Sequence, residues 1–125
     1  MFRYFFICFS AFCVSQTSLD NTNINAAVDM WVSDQLTAET TYGHISNWDT
    51  SSITDMQELF KNHLYFNDDI SQWDVSNVIN MREMFYNCQY FNQDISNWDV
   101  SNLINMEYMF IGCADFNQNI STWDV

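Results

Sequence analysis

The sequence contains no proline and only 2 glycines, so the residues best suited to abrupt reversals are nearly absent. Whatever turning the chain does must rest on asparagine, aspartate and serine. Cations are as scarce: 3 Lys plus Arg against 16 Asp plus Glu leave a net charge of −13. Such a balance repels phosphate backbones and anionic head groups, which argues against nucleic acid as a partner and leaves cations, basic proteins and neutral glycans. No Gly-rich phosphate loop, metal-spaced Cys/His set or Ser-His-Asp constellation is present, and His44 and His63 pair with no cysteine. No catalysis and no cofactor are therefore expected. What the chain has in quantity is core: 48% hydrophobic residues, with 11 Phe, 5 Trp, 6 Tyr and 7 Met in 125 residues, enough for one packed domain.

The N-terminus reads as a secretory signal peptide over residues 1–15, the alternative being a buried N-terminal helix or strand: Arg3, an apolar run from Tyr4 to Val14, then Ser15 and Gln16. The run is shorter than the ~20 residues of a membrane helix, so after its removal no stable span is expected. A lipoprotein site at Cys13 is disfavoured by the bulk of Phe12. Export would leave the product secreted or at the cell surface.

Beyond residue 44 the sequence repeats. Trp48, Trp73, Trp98 and Trp123 are spaced by 25 residues, each preceded by Ile45, Ile70, Ile95 or Ile120 and followed by Asp49, Asp74, Asp99 or Asp124. Met56, Met81 and Met106, then Phe60, Phe85 and Phe110, then Phe66-Asn67, Phe91-Asn92 and Phe116-Asn117 keep the same interval. Residues 45–125 hold three full repeats and the start of a fourth; residues 16–44 form a linker and a cap.

In Asn97-Trp98-Asp99-Val100-Ser101 the two-residue alternation predicts a short half-buried strand. Asp55-Met56-Gln57-Glu58 and Asn80-Met81-Arg82-Glu83 resemble capping boxes, and Met81, Met84 and Phe85 at i, i+3 and i+4 predict a short helix. One strand and one helix cannot bury their apolar faces alone, so the units should stack as an α/β solenoid, with a parallel sheet on one side and helices on the other. Ile24, Ala27, Val28 and Trp31, at helical spacing outside the repeat, predict an N-terminal cap helix. At the other end the sequence stops at Trp123-Asp124-Val125, within a strand, which predicts an open edge and possible self-association through it.

The motif W-D-V-S-N-V-I-N-M-R-E-M-F at 73–85, followed by F-N-Q-D-I-S-N-W-D-V-S at 91–101, resembles the BspA-like leucine-rich-repeat surface proteins. More narrowly, it is similar to their 25-residue-repeat subgroup of unassigned function. The resemblance covers residues 24 to 125. It implies a leucine-rich-repeat-like fold in an extracellular or cell-surface protein that binds other proteins or adheres, with no catalytic residues to carry over.

The candidate sites follow from the repeat. A row of Asn47, Asp49, Gln72, Asp74, Asn97, Asp99 and Thr122 on the sheet face is the expected surface for an extracellular protein or glycan. Asp49, Asp74 and Asp99 of this row, together with Asp124, would stack at about 4.8 Å, where the carboxylates either bind calcium or take hydrogen bonds from the Ser-Asn pair that follows, such as Ser76-Asn77. Asn67, Asn92 and Asn117 are read as a structural amide ladder. Cys88 and Cys113 share one repeat position, so they form either a disulfide or two buried thiols. Asn119-Ile120-Ser121 is an N-glycosylation pattern in a eukaryotic host.

Overall fold

A computed structural model describes the backbone of residues 5–9 and 12–125 and the side chains from Ser15 onward. The expected signal peptide, residues 1–15, includes residues 1–4, 10 and 11, which lie outside the described residues. Strands β1 (Phe5–Phe9) and β2 (Phe12–Gln16) pair antiparallel, with Phe5 opposite Gln16.

Ile24, Ala27, Val28 and Trp31 fall on one face of helix α1 (Ile24–Ser33), and all four are buried. A second helix that the apolar pattern does not announce, α2 (Gln35–Tyr42), follows at once, and it buries only Ala38. Asp34 starts it by accepting hydrogen bonds from the Thr37 amide at 3.2 Å and the Thr37 hydroxyl at 2.7 Å. Gly43 ends it with φ at +83°, and its amide donates to the Glu39 carbonyl at 2.9 Å. The Trp31 indole meets the first repeat edge to face at Trp48, 6.1 Å between ring centroids, and donates to Asp68 at 2.8 Å. A single 3-10 turn, Ile45–Asn47, leads into the repeats.

From Trp48 onward the described residues contain no α-helix, which corrects the expected strand-plus-helix unit. In the segment read as helix, alternate amides point along the stack. Met56, Glu58, Phe60 and Asn62 donate to the carbonyls of Asn80, Arg82, Met84 and Tyr86 at 2.8 to 2.9 Å. Met81, Glu83, Phe85 and Asn87 donate in the same way to Asn105, Glu107, Met109 and Ile111 at 2.7 to 3.0 Å. The amides between them close four-residue turns within their own unit, as in Met84 to Met81, Tyr86 to Glu83 and Cys88 to Phe85, at 3.0 to 3.1 Å. An α-helix would need the first set of amides for itself.

The i, i+3 spacing of Met81 and Met84 is thus the spacing of the two ends of a turn. Left-handed backbone at Glu58, Asn62, Glu83, Asn87, Tyr108 and Gly112, with φ between +55° and +79°, also excludes a helix there. The capping-box residues serve the same turns, since Asp55 and Asn80 accept from the amides two residues on, Gln57 and Arg82, at 2.9 and 3.1 Å.

The predicted sheet lies elsewhere as well. Parallel bridging joins Asp55 to Asn80 and Asn80 to Asn105, within the expected helix, and not the Trp-Asp-Val-Ser segment. That segment keeps its alternation, Trp98 and Val100 buried and Asp99 and Ser101 exposed. Its units are joined by side chain to backbone: Asn77 and Asn102 donate to the carbonyls of Ser51 and Ser76 at 2.9 and 2.7 Å.

Between these two walls, equal residues stack on equal residues. Phe60, Phe85 and Phe110 form one column with centroids 5.5 and 5.8 Å apart, and Phe66, Phe91 and Phe116 another at 5.9 Å. Trp73, Trp98 and Trp123 each donate the indole N–H to the isoleucine carbonyl 28 residues earlier, at 2.8, 3.2 and 3.1 Å. No buried side-chain polar atom among the described residues is left without a partner. The column ends differ: Phe85 is fully buried by neighbours on both sides, whereas Phe110 is only partly buried. Phe85→Ala should therefore lower unfolding free energy in urea by about 3–5 kcal/mol, and Phe110→Ala by clearly less. Equal losses would contradict a stack whose interior unit is packed on two sides.

Candidate functional site

The row expected to face a ligand occupies equivalent places in successive units. Asn47, Gln72, Asp74, Asn97, Asp99 and Thr122 are exposed, while Asp49 is half-buried. Its carboxylates are bonded locally. Asp49, Asp74 and Asp99 each accept from the amide and the hydroxyl of the serine two residues on, Ser51, Ser76 and Ser101, at 3.0 to 3.1 Å from nitrogen and 2.5 to 2.6 Å from oxygen. These bonds hold the Asp99 carboxyl below the usual carboxylate range, the Ser101 hydroxyl contributing most. Of the two expectations for the ladder, the geometry contains the serine bonds. Asp124, the fourth member, is exposed at the end of the described chain. Thr122 gives its hydroxyl to the Ser96 carbonyl at 3.0 Å, and so belongs to the joint between units.

Asn67, Asn92 and Asn117 come together as a ladder. The side-chain carbonyl of Asn67 accepts from the Asn92 amide at 2.8 Å, and that of Asn92 from the Asn117 amide at 3.0 Å. Two glutamines that the sequence reading did not single out double it: Gln93 and Gln118 donate to the backbone carbonyls of Asn67 and Asn92 at 2.8 and 3.0 Å. Their signal was available, since both directly follow the Phe-Asn pair. In the first unit that place is Asp68, which binds Trp31 of the cap instead.

Cys88 and Cys113 are free thiols. Each donates to the phenylalanine carbonyl of the unit before it, Cys88 to Phe60 and Cys113 to Phe85, both at 2.9 Å. Burial pushes the Cys88 thiol up to about 12, and Cys113 moves in the same direction for the same reason. His63 and His44 are engaged elsewhere: His63 lies 3.5 Å from Asp29, and His44 bonds Ser46 at 2.8 Å.

A charged cluster went unread in the sequence. Glu83, buried although charged, lies 2.6 Å from the Lys61 ammonium and also binds the Arg82 guanidinium. Glu58 adds a second carboxylate at 3.1 Å from Lys61. Contact with Glu83 first, then Glu58, raises the Lys61 pKa. The same cations lie over tyrosine rings, Lys61 at 5.7 Å from Tyr86 and Arg82 at 5.9 Å from Tyr108. Both lysine and arginine of the repeats are thereby committed to neighbours within the stack.

Two outcomes follow from these groups. In the native protein at mildly alkaline pH, an aromatic disulfide reagent should leave Cys88 unmodified and react with it only after unfolding; rapid native labelling of Cys88 would contradict its burial. Asp69, Asp94 and Asp99 all have lowered pKa values through their serines, so the stability they add is present above the ordinary value near 3.8 and is lost as pH falls through the lowered folded values. Asp99→Asn should then cost melting temperature at neutral pH and lose that difference as pH falls through the lowered folded value and Asp99 is itself protonated. A deficit that persists undiminished in acid would show that the carboxylate charge is irrelevant.

Comparison with known proteins places these geometries in a family but not beside a characterised relative. No curated protein and no solved structure matches the chain. A family model described as "Mycoplasma protein of unknown function, DUF285" matches residues 28–125, from within α1 through every repeat. The chain therefore belongs to the DUF285 family.

Proposed function

We propose that this protein is a secreted or cell-surface repeat module that binds an extracellular protein or glycan and performs no catalysis. The observation that carries the reading is the exposed polar row at one position of successive units, Asn47, Gln72 and Asn97, each beside a buried tryptophan, Trp48, Trp73 and Trp98. A rigid backing lets side chains meet a partner without first being ordered, which favours affinity. The N-terminal sequence supports export, and the likeness to BspA-like leucine-rich-repeat surface proteins supports both the solenoid class and an adhesive role. The test is a binding screen of the exported product against extracellular-matrix proteins and immobilised oligosaccharides, repeated with Gln72→Ala/Asn97→Ala. The double variant should lose most of the binding and keep its melting temperature. Unchanged binding by a folded double variant would remove this row from the interaction.

A second reading, a structural unit of a longer surface array, is favoured by a specific feature. Met106, Phe110, Phe116 and Trp123 are only partly buried, though their equivalents Met81, Phe85, Phe91 and Trp98 are buried. The amides of Met106, Tyr108, Phe110 and Gly112 find no acceptor among the described residues, while those of Met81, Glu83, Phe85 and Asn87 all do. Along this segment the edge offers amide donors, so whatever continues the stack must present carbonyls there. Two such edges cannot form the ladder with each other, which turns the expected self-association toward the opposite edge of a further repeat.

A further inference from the structure

The repeat accounts for nearly every exposed side chain by position, but not for a concavity at the capped end. Where α1 and α2 meet the first unit, Trp31, Val32, Gln35, Leu64, Tyr65 and Asp68 surround a groove of about 440 Å³, a volume in the range of specific ligand pockets. Its walls keep apolar surface in water: Val32 is 45% exposed, Leu64 38% and Tyr65 78%. Tyr65 stacks on Tyr90 with centroids 5.4 Å apart and planes 10° from parallel. That contact covers one face of the ring and leaves the other toward the groove.

The surroundings are acidic. Asp68 lines the groove, and Asp29, with a side chain 74% exposed, reaches in only as far as His63. Asp34 and Asp69 adjoin the lining residues Gln35 and Asp68 in sequence. Within a chain of net charge −13, and with Lys61 and Arg82 held by Glu58 and Glu83, no free lysine or arginine among the described residues offsets this field; His63, also in the lining, faces Asp29. An anionic ligand is repelled from such a groove and a cationic one is drawn in. The molecule already shows the local pairing, in the cations that lie over Tyr86 and Tyr108.

We propose that this groove binds a basic segment of another protein. An arginine or lysine lies over the open face of Tyr65 with its charge toward Asp68, and a neighbouring apolar side chain packs on Val32 and Leu64. The inference rests on the binding-module reading and moves the principal contact from the polar row to the junction of cap and stack. It also fixes the partner's chemistry as cationic and apolar in alternation, which the polar row does not.

The full chain, labelled with ¹⁵N, is titrated with three probes: a short blocked peptide of alternating Arg and Leu, its Glu-for-Arg counterpart, and a neutral β-linked glucose oligosaccharide. The indole N–H of Trp31 and the amide of Tyr65 report on the groove. Only the Arg-Leu peptide should move them, and its affinity should fall steeply between about 50 mM and about 500 mM salt. Tyr65→Ala should weaken it about tenfold at an unchanged melting temperature, while Tyr108→Ala, on another part of the surface, should leave it as it was.

The proposal is overturned by an equal response to the Glu-Leu peptide, by no response at Trp31 to any probe, or by binding that Tyr65→Ala does not weaken. A response to the oligosaccharide alone also overturns it and makes the groove a sugar site. Shifts confined to the amides of Asn47, Gln72 and Asn97 would sink the groove and leave the binding-module reading standing.

Discussion

The structure depends on one division of labour in the backbone. Along the segment that begins at Asn80, every second amide is given to the following unit and the amides between close turns in their own. This arrangement satisfies backbone groups that would otherwise be buried without partners, and it needs neither a regular helix nor a regular strand. It also fixes the vertical register, because a shift of one residue would exchange the two sets of amides. The aromatic columns, the tryptophan–isoleucine bonds and the asparagine ladder all presuppose that register.

Given the register, the side chains strengthen it by self-complementarity. A column of equal phenylalanines stacks with planes within 2° to 9° of parallel from Phe60 through Phe85 to Phe110, and the amide columns of Asn67, Asn92 and Asn117 link carbonyl to N–H in one direction. Misaligned units would set amides against rings, and the penalty of unpaired buried groups would oppose the slip. The scarcity of glycine and proline becomes intelligible here. Turns are stabilised by side-chain carboxylates and amides reaching two residues on, and Gly112 occupies the left-handed place that Asn62 and Asn87 take in the units before it.

Part of this was written openly in the sequence. The 25-residue interval of Trp48, Trp73, Trp98 and Trp123 reveals units that contact their equivalents, because like side chains recur where like environments recur. The spacing of Ile24, Ala27, Val28 and Trp31 is that of α1. The internal form of the unit was not legible, since four-residue turns and one helical face both place apolar residues at i, i+3. The choice between them lies in backbone bonding, which side-chain pattern does not record. A signal did exist in Asn62, Asn87 and Gly112 at one position, the residue types that tolerate left-handed backbone; Glu58, Glu83 and Tyr108 at the other give none. The groove was hidden for another reason: α2, which helps to form it, buries a single alanine and has no apolar period to read.

The reach of these contacts along the chain has a consequence for how the molecule comes to be. Hydrogen bonds and ion pairs between adjoining units join residues 22 to 28 positions apart, so no contact between repeats requires distant parts of the polypeptide to find each other. Assembly can spread from a pair of adjoining units, with each new loop closing at nearly the same entropic cost as the last. The cap, whose Trp31 bonds Asp68 and meets Trp48 in the first unit, supplies a surface from which that growth can begin during synthesis.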